Sequence, residues 1–265
     1  IINLNSEVLK KDSWISNKTI SKVNLYLEKG DQILFFLNRR GYAPFVICKK
    51  CGYKFQCPNC DVNLNFHKNF NKLLCHHCGH KSVLARLCND KKECEFLFCG
   101  PGVERIFSEL KKIFPKKKID IFSSDTLKKK EKIDELLTKV EKKKIDILVG
   151  TQLLSKGFHF PKLNCIVVVD GDFSSHGYDL RTAEKNIQLY YQLAGRAGRE
   201  GGVSAIYFQT YTPDDETLIN ISKNDPNIFL EKELMLRKEK KLPPFHKLIS
   251  IIISGKNEKQ VMGFQ

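Results

Sequence analysis

Short apolar runs alternate along the chain with segments in which apolar residues recur every three or four positions. Continuous runs predict strands that are buried on both faces, and the spaced pattern predicts amphipathic helices. The predicted strands are 33–37, 119–122, 145–149, 165–169 and 203–208. The predicted helices follow the apolar positions within 103–114, 133–140 and 187–194. This order predicts a doubly wound α/β domain in which helices join parallel strands.

A cysteine-rich stretch interrupts this pattern after the first strand. Eight of the ten cysteines lie between Cys48 and Cys94, in three Cys-x-x-Cys pairs and a looser fourth pair. A two-residue gap lets a turn aim both thiolates at one metal, and two such turns complete a tetrahedron around zinc. The spacing predicts two structural zinc ions without catalytic roles. Their predicted ligands are Cys48, Cys51, Cys57, Cys60, Cys75, Cys78, Cys88 and Cys94.

Other uses of these cysteines fit the sequence less well. A disulfide framework suits a secreted chain, and no basic-then-apolar leader is present. A thioredoxin-type pair would be single and would open a helix. Pairing is open, although a nested arrangement with 57, 60, 75 and 78 inside would bring the ends of the insert together. Potential substitute ligands are His67, His76, His77 and His80, whereas Cys99 and Cys165 have apolar neighbours typical of a core.

The charge of the chain bears on its expected partner and not on its fold. The net charge of +15 fits a polyanion. We nevertheless interpret the lysine runs at 116–118, 128–130 and 142–144 mainly as solvated helix ends. No window approaches the roughly 20 apolar residues of a membrane span, so we expect a cytoplasmic protein.

Three loops after predicted strands or helices contain unusual polar residues, and we expect all three at the carboxyl ends of the strands. They are 38–42, the loop within 147–172, and QLAGRAGR at 192–199. Arg196 and Arg199 are three positions apart, so one helical turn would direct both guanidinium groups the same way. Such a pair suits the charge of a transferring phosphoryl group. The alternative is a surface arginine pair on a glycine-rich turn.

These motifs resemble those of known helicases. QLAGRAGR resembles motif VI of superfamily 2 helicases, and LVGTQLLSKGFHFP resembles their motif V. LFFLNRRGYAPFVICKKCG, the cysteine array, CGPGVER and ELMLRKEKKLPPF are similar to segments of the bacterial primosomal replication-restart helicases. The resemblance covers nearly the whole chain in the same order. It implies a RecA-like second motor lobe with an inserted two-zinc module.

The resemblance also implies a function and its residues. It implies a 3′-to-5′ ATP-dependent DNA helicase that recognises stalled forks and helps to reload the replication machinery. Its expected partners are forked and single-stranded DNA, single-strand-binding protein and other primosome proteins. Arg196 and Arg199 would reach the ATP phosphates, and Gln192 would help to position them. The residues expected to couple nucleotide to DNA are Gly150, Thr151, Gln152, Lys156 and Gly157, with Asn38 and Arg39 near the DNA.

The chain departs from the family pattern in two places. Lys91 occupies the position of the family's last cysteine, and we expect Cys94 to replace it. The sequence also contains no Gly-x-x-x-x-Gly-Lys-Ser/Thr phosphate loop and no Asp-Glu-x-His motif. ATP and Mg²⁺ would then bind only together with a separate first lobe, and this chain alone would be inactive.

The predicted organisation has four parts. Residues 1–30 would connect from a missing first lobe, 31–47 and 95–240 would form the second lobe, 48–94 the zinc insert, and 241–265 the start of a truncated further domain. An alternative is a zinc-dependent DNA-binding or scaffolding module without ATPase activity. A tRNA-modifying zinc-ribbon protein is a weaker alternative, because QLAGRAGR argues against it. Aromatic residues in the insert could stack on bases, although we expect at least two of Tyr53, Phe55, Phe66 and Phe70 to form its core.

Overall fold

The computed structural model describes sixteen stretches of the chain. They are residues 1–10, 13–37, 45–48, 53–59, 63–67, 71–75, 78–84, 96–100, 102–123, 130–151, 160, 162–172, 181–195, 197–198, 203–223 and 226–249. The chain divides into two compact units, Ile1–Ser222 and Lys223–Gln265. Among the described residues, no helix is both long enough and apolar enough to cross a bilayer.

The described residues form strands and helices in an alternating order. The strands are β1 (Ile2–Asn3), β2 (Gln32–Phe36), β3 (Phe45–Cys48), β4 (Asn65–His67), β5 (Lys72–Leu74), β6 (Lys81–Val83), β7 (Phe96–Cys99), β8 (Ile119–Phe122), β9 (Ile147–Gly150), β10 (Leu163–Val168) and β11 (Ala205–Thr210). The helices are α1 (Asn17–Glu28), α2 (Val103–Ile113), α3 (Lys130–Glu141), α4 (Thr182–Ala194), α5 (Glu216–Ser222) and α6 (Pro226–Glu239).

A six-stranded sheet of order β1-β11-β10-β2-β9-β8 forms the centre of the first unit. Every neighbouring pair in it is parallel. The predicted doubly wound α/β fold is therefore confirmed. The five predicted strands fall on β2 and β8 to β11, and the three predicted helices fall on α2, α3 and α4.

The sheet is covered on both faces because successive side chains of a strand point to opposite sides. Ile33 and Phe35 of β2 join one buried cluster with residues of α1 and α2. Leu34 and Phe36 join a second cluster with residues of α3, α4 and α5. Two-sided burial explains why the strands appear in the sequence as continuous apolar runs.

The first 30 residues contribute to this sheet. Ser16 is the N-cap of α1 and accepts a hydrogen bond from the Thr19 N–H at 3.1 Å. The chain turns at Gly30, whose φ of +76° is a conformation that glycine adopts without steric cost. β1 pairs with β11 at the edge of the sheet.

The cysteine-rich insert leaves the domain through a two-stranded antiparallel ladder. β3 pairs with β7, so that Phe45 faces Cys99 and Cys48 faces Phe96. Because this ladder lies between β2 and α2 in the chain, the insert interrupts one crossover of the parallel sheet, as predicted. Beyond the ladder, β4, β5 and β6 form a separate three-stranded antiparallel sheet.

The second unit contains α6. Within this helix the Arg237 guanidinium Nε lies 2.7 Å from the Glu233 carboxylate, an i,i+4 ion pair. A mostly apolar run at 248–253 also has the composition of a strand. It lies outside the described residues except for its first two positions, and those two are not in a strand.

Candidate metal centre and strand-end site

Three cysteines of the insert converge in space. Cys57 precedes the small sheet, Cys75 follows β5, and Cys78 lies in the turn before β6. The Sγ atoms of these three residues all lie within 4.8 Å of one another. The Cys57 and Cys78 sulfurs are 3.4 Å apart. Residues separated by 21 positions in the sequence are therefore brought to one point.

A tight turn aims the Cys75 and Cys78 thiols at this point. The Gly79 N–H donates to the Cys75 carbonyl at 2.9 Å, and the Cys75 N–H donates to the His80 carbonyl at 2.8 Å. The Cys78 N–H points to the Cys75 sulfur at 3.5 Å. Gly79 has a φ of +80°, which a side chain would disfavour. The glycine after the pair is thus explained by the backbone of the turn.

The three thiols fit a tetrahedral zinc site. Zinc–thiolate bonds of about 2.3 Å in a tetrahedron place neighbouring sulfurs about 3.8 Å apart, similar to the Cys57–Cys78 distance of 3.4 Å. Cys57 and Cys75 are each only 1% exposed. Two thiols buried side by side supply the sulfur donors that zinc prefers, and they would bind it as thiolates after losing their protons. Cys60, the expected fourth ligand, lies outside the described residues.

The outer set of predicted ligands is described only at Cys48. This residue is buried at the end of β3, and its N–H donates to the Tyr53 carbonyl at 2.9 Å. Cys51, Cys88 and Cys94 lie outside the described residues, as do His76 and His77. The grouping of three sulfurs found among the described residues does not include His67 or His80.

The small sheet has its own apolar core beside the cysteines. Its buried members are Val46, Cys57, Leu64, Phe66, Leu73 and Cys75. Phe55 packs against this cluster, and its ring meets those of Tyr53 and Phe96 edge to face at 5.2 Å each. Phe66 and Phe55 therefore serve the core of the module, as expected. Phe70 lies outside the described residues.

Gly150 and Thr151 lie where several parallel strands end, which we call the carboxyl edge of the sheet. The Thr151 N–H donates to the Phe122 carbonyl of β8 at 3.3 Å, and the Leu37 N–H after β2 donates to the Gly150 carbonyl at 2.9 Å. Thr151 is 2% exposed. Gln152, Lys156 and Gly157 lie outside the described residues, as do Asn38 and Arg39.

At the same edge, Asp172 links the loop after β10 to the end of β11. Its carboxylate accepts hydrogen bonds from the Tyr211 N–H at 2.9 Å, from the Thr212 hydroxyl at 2.9 Å and from the Thr210 hydroxyl. Burial alone raises the pKa of this carboxyl, but the hydrogen bonds outweigh burial and hold the pKa below its ordinary value. Asp172 belongs to the loop that the sequence singled out, yet nothing in its spacing revealed this anchoring role.

The third loop lies at the opposite edge, contrary to expectation. The Gly198 N–H donates to the carbonyl of Leu163, the first residue of β10, at 3.1 Å. A crossover helix runs antiparallel to the strands, so the segment after α4 returns to the edge where strands begin. This amino edge lies about 17 Å from the carboxyl edge along β10, at about 3.3 Å per residue. Gly150 and Gly198 are therefore not brought together.

The described residues around the arginine pair are held in place on both sides. Gln192 is exposed near the end of α4, and the Gly195 N–H continues the helix by donating to the Tyr191 carbonyl at 2.9 Å. Gly198 adopts a φ of +75°. Arg196 and Arg199 lie outside the described residues. Cys165 is confirmed as a core residue, and burial raises the pKa of its thiol to about 12.

Comparison with family models identifies both parts of the chain. Residues 79–201 match the helicase conserved C-terminal domain, and residues 57–82 match the PriA DNA helicase Cys-rich region domain. These two matches agree with the parallel sheet and its Cys-rich insert. The chain therefore belongs to the class of helicase C-terminal lobes that carry a zinc-ribbon region. Its relatives narrow the assignment further.

Three relatives share the name replication restart protein PriA. The protein from Rickettsia felis is 43% identical over 263 residues, covering 99% of this chain and 41% of the relative. That from Haemophilus influenzae is 36% identical and covers 92% of this chain and 33% of the relative. The protein from Bacillus subtilis is 35% identical and covers 91% of this chain and 30% of the relative. The chain belongs to the PriA family, and it spans well under half the length of these relatives.

Proposed function

We propose that this chain supplies the second motor lobe and the zinc module of an ATP-dependent DNA helicase. In this proposal the helicase moves in the 3′-to-5′ direction, recognises stalled replication forks and restarts replication through primosome assembly. The observation that carries the proposal is the similarity to PriA proteins over 99% of the chain. That similarity includes both the parallel sheet and the inserted module.

The proposed chemistry is divided between two lobes. Phosphoryl transfer in this class needs Mg²⁺, a phosphate-loop lysine and a residue that positions water, together with arginines that stabilise transition-state charge. The 265 residues contain the arginine motif and no phosphate loop. ATP and Mg²⁺ would therefore be bound by a first lobe, and this chain alone would be inactive.

Each candidate residue has a proposed role in this division. Arg196 and Arg199 would direct their guanidinium groups to the nucleotide phosphates, with Gln192 supporting them. The anchored glycines on either side of Arg196 support this role, because they fix the backbone from which the side chains project. The residues proposed to couple the nucleotide to DNA are Gly150 and Thr151, together with Gln152, Lys156 and Gly157 of the loop that follows them in the sequence.

The insert is proposed to bind two structural zinc ions. The converging thiols support an inner site of Cys57, Cys60, Cys75 and Cys78. The β3–β7 ladder supports an outer site of Cys48, Cys51, Cys88 and Cys94, because it joins the two ends of the insert. The proposed partners are forked and single-stranded DNA, single-strand-binding protein and other primosome proteins, in the bacterial cytoplasm.

Reconstitution with a first motor lobe tests the proposal. The chain is combined with a purified lobe that carries a phosphate loop, and DNA-stimulated ATP hydrolysis is measured. The combination should hydrolyse ATP, and Arg199→Ala should lower kcat by at least about 1,000-fold, because arginine fingers contribute 10³ to 10⁵. Arg181→Ala, an exposed arginine just before α4, is the matched control and should retain activity.

Two results would contradict this assignment. Full activity of Arg199→Ala would show that Arg199 takes no part in ATP hydrolysis. Hydrolysis that never exceeds that of the first lobe alone, together with intact DNA binding, would favour the zinc-dependent scaffolding module instead.

A further inference from the structure

Two lysine runs that are far apart in the sequence meet at the amino edge of the sheet. Lys116–Lys118 lead into β8, and Lys142–Lys144 lead toward β9. β8 and β9 are parallel neighbours, with Ile119 facing Ile147. Residues 116–118 and 142–146 together hold six lysines and one acidic residue, Asp146. We call these six lysines the lysine patch.

Hydrogen bonds fix the backbone of the patch. The Lys118 carbonyl accepts from the N–H groups of Asp146 and Ile147 at 2.9 and 3.1 Å. The Lys118 N–H donates to the Asp146 carboxylate at 2.7 Å. The two runs are therefore tied to each other directly, and the Asp146 carboxylate is already engaged by a backbone N–H. Two further acidic residues lie beside the runs, Asp120 and Glu141.

A buried glutamine fixes the backbone on both sides of the second run, Lys142–Lys144. The Gln32 side-chain amide donates to the carbonyls of Val140 and Ile145 at 2.9 and 2.8 Å, one on each side of the run. Gln32 is 5% exposed. Because β2 holds this turn rigidly, little backbone entropy is lost when a partner binds the lysines.

One lysine of the patch occupies a backbone conformation that is costly for a residue with a side chain. Lys143 has a φ of +55°, in the left-handed region where helices commonly end with glycine. Lysine adopts this conformation less readily than glycine does. A lysine here adds an exposed ammonium group to the patch, whereas a glycine would be easier for the backbone.

The six ammonium groups lack carboxylate partners among the described residues. The ion pair found in α3 joins Lys139 to Glu135 instead. Five of the six lysines are exposed, and Lys117 is partly buried. A cluster of this kind attracts a polyanion, since six lysines outnumber the three acidic residues beside them, Asp120, Glu141 and Asp146.

We propose that the lysine patch binds the phosphate backbone of duplex DNA. This would be a second DNA contact of the fork-directed helicase, so the inference rests on the proposed function. Single-strand sites combine charge with aromatic side chains that stack on bases. The patch exposes no large apolar or aromatic residue, and the nearby Phe114 is buried. Acidic peptides usually anchor through apolar groups as well. Lysines without such groups fit sequence-independent phosphate contacts.

The test measures the salt dependence of duplex binding by the full zinc-loaded chain, without nucleotide and without a first lobe. Four exposed lysines of the patch are changed together: Lys116→Gln, Lys118→Gln, Lys142→Gln and Lys144→Gln. The slope of log K against log salt should become shallower by about 3 to 4, since each phosphate contact contributes about 0.9. The control changes four exposed lysines elsewhere, Lys22, Lys132, Lys223 and Lys238, to glutamine. It should alter the slope by less than about 1.

A second pair of variants separates charge from folding. Lys143→Gly should keep the thermal stability of the parent, because glycine accepts a φ of +55°, yet it should make the slope shallower by about 1. Lys241→Gly is matched to it, since Lys241 has a φ of +53° but lies in the second unit. Lys241→Gly should not change the slope.

Several outcomes would overturn the inference. One is an unchanged slope for the patch variants, and another is an equal change for patch and control variants. A third is patch-dependent binding of a polyglutamate peptide with no change in the duplex slope, which would identify an acidic protein partner instead. Absence of duplex binding by the parent chain would also overturn it. None of these results affects the ATPase reconstitution, so the two proposals fail separately.

Discussion

The three converging cysteines differ in how far water reaches them. Cys57 and Cys75 are buried within the core of the small sheet, whereas Cys78 is exposed. The Asn59 side-chain amide lies 3.9 Å from the Cys78 sulfur, within reach of an N–H···S hydrogen bond. Such donors stabilise the charge of a metal-bound thiolate and orient it. Asn59 therefore supports the most accessible ligand of the proposed inner zinc site.

Asn59→Ala should accelerate the loss of zinc from this site. Removing a hydrogen-bond donor to a metal ligand typically lowers metal affinity by 10- to 100-fold, and a long N–H···S contact places Asn59 near the lower end, at about 10-fold. Zinc transfer to a chromogenic chelator measures the effect. Asn63→Ala, an exposed asparagine of the same module, is the matched control. Equal transfer rates for Asn59→Ala and the parent would exclude the positioning role.

Spacing predicted the cysteines but not Asn59. Two-residue gaps are a local property that a sequence displays, and Cys75 and Cys78 lie close together as their gap indicates, whereas the sequence left open which other pair joins them. The Asn59 contact depends on how the turn at residues 58–59 faces Cys78. That relation arises only when the strands between them pair.

At the scale of elements, continuous apolar runs predicted the parallel strands well, because two-sided burial leaves little choice of side chain. The position of QLAGRAGR was predicted wrongly. We placed it at the carboxyl edge by its unusual composition, whereas the direction of α4 carries it back to the amino edge. Crossover geometry, which was available from the strand–helix–strand order alone, would have given the correct edge.

Polar contacts between elements were not predictable from the sequence. Gln209 of β11 is fully buried, and its side chain joins three parts of the first unit. Its amide donates to the carbonyls of Trp14 and Val169, and its oxygen accepts from the Ser16 N–H and the Thr19 hydroxyl. One glutamine thus connects the start of α1 with the ends of β10 and β11.

Gln209→Ala should destabilise the first unit by about 3 kcal/mol, because several buried polar groups lose their partners at about 1 kcal/mol or more each. Urea unfolding followed by far-UV circular dichroism measures the change. Gln188→Ala, at an exposed position of α4, is the matched control and should change stability by less than about 0.5 kcal/mol. A small effect of Gln209→Ala would mean that water replaces the lost hydrogen bonds.

At the scale of the whole molecule, the first unit contains separate apolar cores. The parallel sheet has a cluster on each face, built from residues of strands and of five helices. Within the part of the cysteine module that the structure describes, a third cluster contains six buried residues, two of which are cysteines. We expect the module to depend on the proposed metal in a way that the parallel sheet does not, because a short cysteine-rich segment buries little apolar surface against the conformational entropy of its ordering.

Removing zinc with a chelator should therefore unfold the cysteine module and leave the parallel sheet folded. Hydrogen exchange gives the measurement, because it reports on each strand separately. Amides of β4, β5 and β6 should lose protection, amides of β2 and β10 should keep it, and added zinc should restore the first set. The β3–β7 ladder connects the two regions and should show intermediate protection, since it pairs only eight residues. Simultaneous loss of protection in β2 and β5 would show that the first unit unfolds as one cooperative body and that the metal stabilises all of it.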